Sequence, residues 1–467
     1  MKESTAVKTR RLRTERKVRF RMDWAVTGLI CALTLLGQSI FGEWTGRKLL
    51  VVLMEPVLVM IFMTALEAYD HFTSPLQEIQ VCILLSDLYA YVVVAFLNVL
   101  FLRSLTLLTI HTLAAALQAV LMLACNTLLY RRSHDPRCCR RPSMLVLAAK
   151  GHEARLRRLK YGILEDFDAW YMVLDEPVGA DSDSALSEIK QSLKQYDALC
   201  VFDNVWGEAY EELIRYAMEL DKEIYTVPRM IDVGVNQTRL THFDDIPVLY
   251  MESFRLTWWD AILKRGLDLV VALAALAVAA LPMAVIAVCI RLDSPGPIIY
   301  RQERYTKGKK VFRIMKFRTM VVDAEKLTGP TFAQKDDPRI TRVGRLLRRC
   351  RLDELPQIFN ILRGDMSLVG PRPERPFFVE QFEKEIPQYD YRFAVKAGLT
   401  ALSHVYGRYS TYIHDRTYYD LRYIADYSFF LDLKILLLTS KTMFLKNAAE
   451  GEDQFKVQAE KKQAETR

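Results

Sequence analysis

Four long apolar stretches near the N-terminus constrain the fold of this chain more than any other feature. They lie at residues 24–42, 49–66, 79–102 and 105–130. Each is close to the roughly 20 apolar residues that an α-helix needs to cross a bilayer. Glu55 and Pro56 weaken the prediction that the second stretch spans the membrane, and Asp87 weakens it for the third. The alternative for all four is a buried helical bundle of a soluble protein. Because polar periodicity is weak in all four, we predict a four-helix transmembrane anchor over residues 23–130.

Basic residues at both ends of this anchor predict its orientation. Residues 1–22 form a basic N-terminus, five arginines lie within 131–141, and the loops between the spans are nearly neutral or acidic. Since Lys and Arg concentrate on the cytoplasmic side of membrane proteins, both ends are predicted to be cytoplasmic. A signal peptide is the alternative for the N-terminus, but the apolar stretch is too long and no small-residue cleavage site follows it.

The overall charge and the cysteines exclude other classes of partner. The formal net charge is +8 for 467 residues and concentrates beside the predicted spans. Anionic lipid headgroups explain this better than nucleic acid, and we predict no nucleic-acid partner. The eight cysteines are scattered and include no Cys-x-x-Cys pair, which argues against a zinc site and fits a reducing compartment.

The pattern after the anchor predicts a Rossmann-like α/β domain over residues 143–250. Predicted strands at 144–149, 170–174, 198–202 and 223–227 alternate with predicted helices at 153–159, 184–196 and 208–220. Such alternation is typical of a parallel sheet. The first strand leads into Ala149-Lys150-Gly151-His152, with one glycine where the dinucleotide fingerprint needs three. A scaffold or regulatory role is therefore favoured over cofactor binding.

A further apolar segment at 266–290 follows two tryptophans and two cations. Trp258-Trp259 and then Lys264-Arg265 are typical of a membrane interface. Cations at both ends give no bias in orientation, and the polar chain that follows is expected in the cytoplasm. We therefore predict a re-entrant membrane helix that bends at Pro282, where a backbone hydrogen bond is missing. A full membrane span is the alternative.

The segment RRCRLDELPQIFNILRGDMSLVGPRPERP carries the chemistry. Asp353 and Glu354 lie between arginines 348, 349 and 351 and the Pro-Arg-Pro turn at Arg372. Such an arrangement suits phosphoryl transfer on a magnesium-bound diphosphate, with a carboxylate as nucleophile or ligand and cations for the leaving phosphate. Alternatively, the acids open a short amphipathic helix that ends at Gly364. A helix N-terminus also attracts anions, so the two interpretations are compatible.

Two further segments are strongly charged. RQERYTKGKKVFRIMKFRTM, at residues 301–320, alternates as a strand with cations on one face, although surface ion pairs are the more usual outcome of such a run. The tail at residues 447–467 is charged, poor in apolar residues and predicted to be disordered.

Four motifs resemble the bacterial sugar transferases, the monotopic polyprenyl-phosphate phosphoglycosyl transferases. They are KRGLDLV, RQERYTKGKKVFRIMKFRTM, DPRITRVGRLLRRCRLDELPQIFNILRGDMSLVGPRP and DLRYIADYSFFLDLKILLLTSK, in family order. The four spans and the α/β domain resemble the long members, which start exopolysaccharide, capsule or O-antigen synthesis. This resemblance implies an α/β catalytic domain over 258–446 with its re-entrant helix at 266–290, whose start matches Lys264, Arg265 and Asp268.

The resemblance also implies a two-step reaction with Mg²⁺. An aspartate attacks the β-phosphorus of a UDP-sugar, UMP leaves, and polyprenyl (undecaprenyl) phosphate resolves the phosphosugar-aspartate. By motif match the nucleophile is Asp353, and Glu354 serves in magnesium binding or in handling the lipid phosphate. The resemblance places Lys316, Arg318, Pro371, Arg372, Pro373 and Arg408 in substrate binding. We add Arg348 and Arg351, the cations beside the acidic pair.

One loop departs from the family pattern. After VKAGLT the family usually continues with Gly-Trp or Gly-Leu and then Ala-Gln-Val, whereas residues 401–408 read ALSHVYGR. The loss of a Gly and a Gln leaves the sugar and nucleotide contacts of this loop unassigned. His404 is expected to be a satisfied polar residue rather than a catalyst.

We therefore predict a multi-pass protein of the bacterial inner membrane with its catalytic domain on the cytoplasmic face and with a homodimer as a plausible assembly. A membrane-anchored nucleotide-sugar dehydratase is an alternative, but it needs a glycine-rich loop and a Tyr-x-x-x-Lys pair in the α/β domain, and residues 143–250 contain neither. A non-catalytic scaffold of polysaccharide assembly is another, although a scaffold has no need of both carboxylates and the Pro-Arg-Pro turn.

Overall fold

The structure is a computed structural model, and long apolar helices dominate its first part. The residues that it describes are 3–43, 45–69, 76–133, 143–149, 168–174, 183–202, 208–228, 238–243, 246–251, 256–321, 339–407 and 413–445. The chain divides into two units, Met1–Arg229 and Met230–Arg467.

Helices α1 to α4 of the first unit contain the four predicted spans. They are α1 (Glu3–Phe41), α2 (Gly46–Ala65), α3 (Leu76–Leu97), which continues as a π-helical turn (Asn98–Leu102), and α4 (Leu105–Ser133). Four parts of these helices are long and apolar enough to cross a membrane, at Val18–Phe41, Gly46–Ala65, Leu76–Leu102 and Leu105–Arg132. Because Lys, Arg and Glu form helices readily, α1 extends beyond the predicted span into the basic N-terminus.

The acidic residues that weakened two of the spans lie inside this group of helices. Glu55 and His111 are both buried, with 2.7 Å between the carboxylate Oε2 and the imidazole Nδ1. Gln118 donates a hydrogen bond of 2.6 Å to Asp87, which is also buried. Polar groups removed from water need such partners, and leucines and valines occupy the exposed faces of the same helices.

The rest of the first unit is a four-stranded parallel sheet with helices. Its elements are β1 (Ser143–Ala149), β2 (Asp168–Leu174), α5 (Asp183–Leu193), β3 (Ala198–Val201), α6 (Glu208–Glu219) and β4 (Glu223–Thr226). The strand order is β2-β1-β3-β4, and all three neighbouring pairs are parallel. The alternating pattern thus predicted the strands and the parallel sheet. The predicted helix at 153–159 and the Gly151 loop lie outside the described residues.

The second unit begins with an antiparallel pair, β5 (Thr238–Phe243) and β6 (Ile246–Met251), in a region that the sequence assigned to the α/β domain. Helix α7 (Trp258–Asp293) follows and continues through Pro282. Its N-terminus is fixed by a capping box between Thr257 and Asp260. This helix begins well before the predicted apolar segment, because the cap lies ahead of the two tryptophans. It is the fifth helix of the described residues that is long and apolar enough to cross a membrane.

The remaining elements complete the second unit, and several of them pack on α7. They are β7 (Ile299–Tyr305), β8 (Val311–Phe317), α8 (Arg342–Arg349), α9 (Gln357–Arg363), β9 (Met366–Val369), α10 (Pro376–Glu385), β10 (Ala397–Thr400), α11 (Leu402–Val405), α12 (Ile413–Ala425) and α13 (Phe429–Phe444). Strands β7 and β8 pair antiparallel, and β9 and β10 pair parallel. Around Ala272 the helix packs on the main core of this unit, and around Ile290 it packs on Phe317 and Leu347.

A buried ionic group, which we call the anchor cluster, holds the N-terminal part of α7. It consists of Lys264, Tyr423 and Asp432. The Lys264 Nζ donates to Tyr423 Oη at 2.8 Å and to Asp432 Oδ2 at 2.7 Å, and Tyr423 Oη donates to Asp432 Oδ1 at 2.7 Å. One turn further along, Asp268 accepts hydrogen bonds from Ser367 Oγ and the Leu368 amide, which fixes β9 just before the Pro-Arg-Pro turn.

Candidate active site

The two predicted catalytic carboxylates lie in an irregular turn rather than in an α-helix. Leu352–Glu354 form a single 3-10 turn, and α9 begins only at Gln357, where no side chain caps the helix. The sequence-based prediction that these acids open the helix is therefore wrong. Arg351 precedes the turn in the left-handed region with φ 54°, a conformation that costs a non-glycine residue about 1–3 kcal/mol. Strain of this kind is common at functional sites.

Glu354 is paired with two cations from different elements. Lys316 at the end of β8 donates a hydrogen bond of 2.8 Å to Glu354 Oε1, and Arg372 donates one of 3.3 Å to the same atom. Burial opposes ionisation of this carboxyl, but the charges of Arg372 and Lys316 outweigh it and hold the pKa of Glu354 well below its usual range. Glu354 is therefore a stable carboxylate. We call Lys316, Glu354 and Arg372 the active-site cluster.

Asp353 has a different environment, although it is the next residue. Within the described residues, its carboxylate forms no hydrogen bond or ion pair with another side chain. Burial raises the pKa of Asp353, the negative charge of Glu354 adds to the rise, and Lys316 and Arg348 oppose it. A half-buried carboxylate without a side-chain partner keeps oxygen lone pairs available for an incoming electrophile or cation.

The backbone of the Pro-Arg-Pro turn is held from both sides. Arg392 donates to the carbonyl of Arg372 at 2.8 Å, and Arg304 donates to the carbonyl of Pro373 at 3.2 Å. Gly370 and Gly398 approach so closely that a Cβ built on Gly398 would lie 2.2 Å from the amide nitrogen of Gly370. Both prolines are buried. The turn is therefore a rigid support from which the Arg372 side chain projects.

Behind this turn lies a second layer of ion pairs. Glu374 pairs with Arg304 at 3.6 Å and with Arg416 at 2.5 Å. Arg392, nearly inaccessible to solvent, pairs with Asp420 at 2.7 Å. Each of these charges has an opposite charge beside it. The layer therefore fixes the position of the turn without burying an unpaired charge.

His404, which we expected to be a satisfied polar residue rather than a catalyst, also contacts Arg372. The distance between its Nε2 and the Arg372 NH1 is 3.2 Å. Burial, with the positive charges of Arg372 and Arg416, holds the pKa of His404 well below its usual 6.5. The residue comes from the short helix α11 in the departing loop. Its separation from Arg372 in sequence left no local signal of the contact.

The structure brings some, not all, of the predicted binding residues together. Arg348 lies near Asp353 and donates from its Nε to Thr319 Oγ1 at 2.8 Å. Arg351 is exposed at the start of the turn. Arg318 is buried and donates to the carbonyl of Ser294 at 2.6 Å, so it fixes the C-terminal end of α7 and is not placed in the active-site cluster. Arg408 lies outside the described residues.

The arrangement suits an anionic, phosphorylated ligand. A cleft beside the cluster is lined by Arg304, Ile314, Lys316, Glu354, Gln357, Arg372, Pro373, Gly398 and Leu399. Arginine and lysine at one face of a cleft are the usual partners of phosphate groups. Two carboxylates on one turn also fit Mg²⁺, which proteins usually bind through one or two carboxylates together with substrate phosphates and water. The described residues contain no cluster of three or more metal-ligating side chains.

The part of the chain that carries this site matches a known protein family. The family model "Bacterial sugar transferase" matches residues 259–446. The chain belongs to the bacterial sugar transferase family.

Three relatives illustrate the similarity. The chain is 44% identical over 186 residues to the UDP-N-acetylgalactosamine-undecaprenyl-phosphate N-acetylgalactosaminephosphotransferase of Aeromonas hydrophila, covering 39% of this chain and 44% of that protein. It is 54% identical over 151 residues to a Bacillus subtilis protein provisionally named an undecaprenyl-phosphate N-acetylgalactosaminyl 1-phosphate transferase, covering 32% and 84%. It is 35% identical over 249 residues to the UDP-glucose:undecaprenyl-phosphate glucose-1-phosphate transferase of Escherichia coli, covering 52% and 53%. The matched part thus spans about half the length of the first and third of these relatives.

Proposed function

We propose that this protein transfers a sugar-1-phosphate from a UDP-sugar to undecaprenyl phosphate and releases UMP. The observation that carries the proposal is the carboxylate of Asp353, which has no side-chain partner among the described residues and lies beside the active-site cluster, in which two cations converge on one glutamate. The names of the relatives include undecaprenyl-phosphate sugar phosphotransferases with different sugars, which supports the reaction class and leaves the sugar open.

In the first half-reaction, an oxygen of Asp353 attacks the β-phosphorus of the UDP-sugar. A bond forms between this oxygen and the phosphorus, and the bond from the phosphorus to the oxygen that bridges the two phosphates breaks, so UMP leaves with that oxygen. Arg372 and Lys316 neutralise charge on the phosphates, which otherwise repel the carboxylate. Glu354 holds both cations in position, since each donates a hydrogen bond to its Oε1.

In the second half-reaction, an oxygen of undecaprenyl phosphate attacks the same phosphorus, and the carboxylate of Asp353 is the leaving group. The product is undecaprenyl-diphospho-sugar. Asp353 returns to its starting state without a net change in protons at the carboxylate. One site on the membrane surface thereby serves a soluble donor and a lipid acceptor in turn.

Asp353 and Glu354 are the residues that would hold Mg²⁺ together with the donor's phosphates. The bound ion would supply charge neutralisation at the diphosphate. Removal of divalent cations with EDTA is expected to abolish UMP release, and full activity in EDTA would contradict the role of the metal.

We also propose that α7 enters the membrane and returns to the cytoplasmic side of the bacterial inner membrane. Near its start, Arg265 donates to the carbonyl of Ile361, and at its end Ile290 packs on Phe317 and Leu347 of the same domain. An exposed apolar stripe that includes Val270, Leu281 and Val288 faces away from this domain. Both ends thus contact one domain, which favours a common side.

Cysteine labelling tests this topology. In a background without the native cysteines, Trp258→Cys and Leu292→Cys each place a thiol at an exposed position near one end of α7. Both are expected to react with a membrane-impermeant reagent in inside-out vesicles and to be protected in right-side-out vesicles. Opposite accessibility of the two positions would mean a full span.

The experiment that tests the function is a panel of UDP-sugars assayed for UMP release with undecaprenyl phosphate and Mg²⁺. We expect one or a few sugars to support turnover and to produce a labelled lipid. Absence of UMP release with every sugar, by a folded protein in lipid, would favour the scaffold alternative.

A further inference from the structure

The side chain of Arg372 is held at both of its terminal nitrogens. NH2 donates to Glu354 Oε1 at 3.3 Å, and NH1 lies 3.2 Å from His404 Nε2. The carbonyl of the same residue is held by Arg392. The guanidinium therefore bridges a carboxylate from the 3-10 turn and an imidazole from α11, and its plane is fixed at the edge of the cleft.

Chemistry decides the role of each atom in the contact with His404. A guanidinium has only donors, so His404 Nε2 has to be the acceptor and the imidazole proton has to be on Nδ1. A protonated imidazole has no acceptor and would repel Arg372. Burial and the neighbouring Arg372 and Arg416 keep the pKa of His404 low, which agrees with a neutral ring.

We propose that His404 is a positioning residue for the sugar-phosphate transfer, because its Nε2 accepts from Arg372 and holds the guanidinium in the orientation that meets the diphosphate of the donor. This inference rests on the proposed function. Without the acceptor, both terminal nitrogens of Arg372 can turn towards Glu354 as a bidentate pair. The guanidinium would then be withdrawn from the donor.

Two substitutions separate this role from simple packing. His404→Leu removes the acceptor at similar volume, whereas His404→Gln restores an acceptor oxygen. We expect His404→Leu to raise the KM for the UDP-sugar about tenfold with a smaller change in kcat, the size expected for one hydrogen bond to a charged group. His404→Gln is expected to recover most of this loss. Tyr406→Phe, a neighbouring exposed residue whose ring stacks on Tyr419, is the matched control and should behave as wild type.

A double-mutant cycle identifies the partner. In the Arg372→Gln background, His404→Leu is expected to have no further effect on KM, because the group that it positions is already absent. Melting temperatures of all variants, measured in the same detergent or lipid, identify any loss due to unfolding. Additive losses in the double variant, or an equal loss in His404→Gln and His404→Leu, would overturn the proposal.

Binding of UDP by calorimetry provides a readout that needs no turnover. If wild type binds UDP but shows no turnover with any sugar, the proposed function fails, while tighter binding by wild type and His404→Gln than by His404→Leu would still support the positioning role. Equal UDP affinity in all three proteins, or absence of UDP binding by folded wild type, would overturn the positioning role.

Discussion

Two ionic clusters of the second unit each pair a lysine ammonium with a carboxylate, but the two pairs serve different purposes. In the anchor cluster, the ammonium of Lys264 lies 2.7 Å from Asp432, with side chains 6% and 1% exposed. In the active-site cluster, Lys316 lies 2.8 Å from Glu354, with side chains 22% and 20% exposed. The ion-pair distances are nearly equal. The clusters differ in burial and in whether they leave charged groups available to bind a ligand.

The anchor cluster is complete without a ligand. Both carboxylate oxygens of Asp432 accept hydrogen bonds, one from Lys264 and one from Tyr423. The active-site cluster has two cations on one glutamate oxygen and, beside them, Asp353, which has no side-chain partner within the part of the chain that the structure describes. A closed, dry cluster holds an element in place, whereas an open and unbalanced one is suited to bind an anion.

The largest effect is expected at Asp353, because the anchor cluster has no equivalent of this residue. Asp353→Asn removes the carboxylate nucleophile, so turnover should fall by at least about 10³-fold. The protein should stay folded, because Asp353 has no side-chain partner to lose among the residues that the structure describes. UMP release and the melting temperature are measured on the same preparation. More than a few per cent of wild-type turnover in a folded sample, free of contaminating enzyme, would exclude Asp353 as the nucleophile.

Lys264→Ala should act on stability instead. It leaves the buried Asp432 carboxylate without its cation, and breaking such a pair typically costs about 3–5 kcal/mol. The double variant Lys264→Met with Asp432→Leu, which removes both charges, should recover much of the stability. Thermal unfolding of the three proteins measures the effect. A melting temperature for Lys264→Ala equal to that of wild type would show that the anchor cluster does not hold α7.

Lys316→Gln should act on activity and not on stability. We expect a loss of about 10²-fold in kcat/KM and little change in melting temperature. Its cation neutralises phosphate and, in contrast to that of Lys264, is partly exposed. Arg313→Gln on the same strand is the matched control, because Arg313 is exposed and pairs only loosely with Glu303, at 3.6 Å. Similar losses in the two variants would indicate a general effect of positive charge rather than a contact in the site.

The smallest effect concerns pH. Burial raises the pKa of Asp353 above the ordinary 3.8, and Lys316 opposes that rise. Since the protonated acid is not a nucleophile, kcat/KM should fall about tenfold per pH unit below the pKa of the folded protein. Removing the Lys316 charge should raise this pKa, so the acid limb should move to higher pH in Lys316→Gln. A limb that stays in place, at constant Mg²⁺, would argue against this coupling.

The sequence predicted those parts of the structure that local periodicity or a contiguous motif determines. The apolar helices, the strands of the first unit and their parallel pairing follow from patterns within a few residues of each other. The motif also marked Glu354 and Arg372, which line one cleft, and Asp353, the residue before Glu354. These predictions needed no information about contacts between distant residues.

Other features depend on distant contacts or on backbone strain. Arg351 has a left-handed conformation, which the sequence does not reveal at a residue other than glycine. The sequence therefore suggested a regular helix start. The basic run at 301–320 did not show that Lys316 points to Glu354 while Arg318 holds the end of α7. His404 was set aside because its contact with Arg372 joins two elements that are separate in sequence.

The most direct test of the covalent account is mass spectrometry of the protein after brief exposure to its UDP-sugar and Mg²⁺ without lipid. If Asp353 is the nucleophile, we expect one equivalent of UMP and a peptide that carries a sugar phosphate on Asp353, with no adduct in Asp353→Asn. Addition of undecaprenyl phosphate should then remove the adduct and yield the lipid-linked sugar. Absence of both adduct and UMP without lipid, in an enzyme that turns over when lipid is present, would contradict the account and indicate direct transfer to the lipid phosphate.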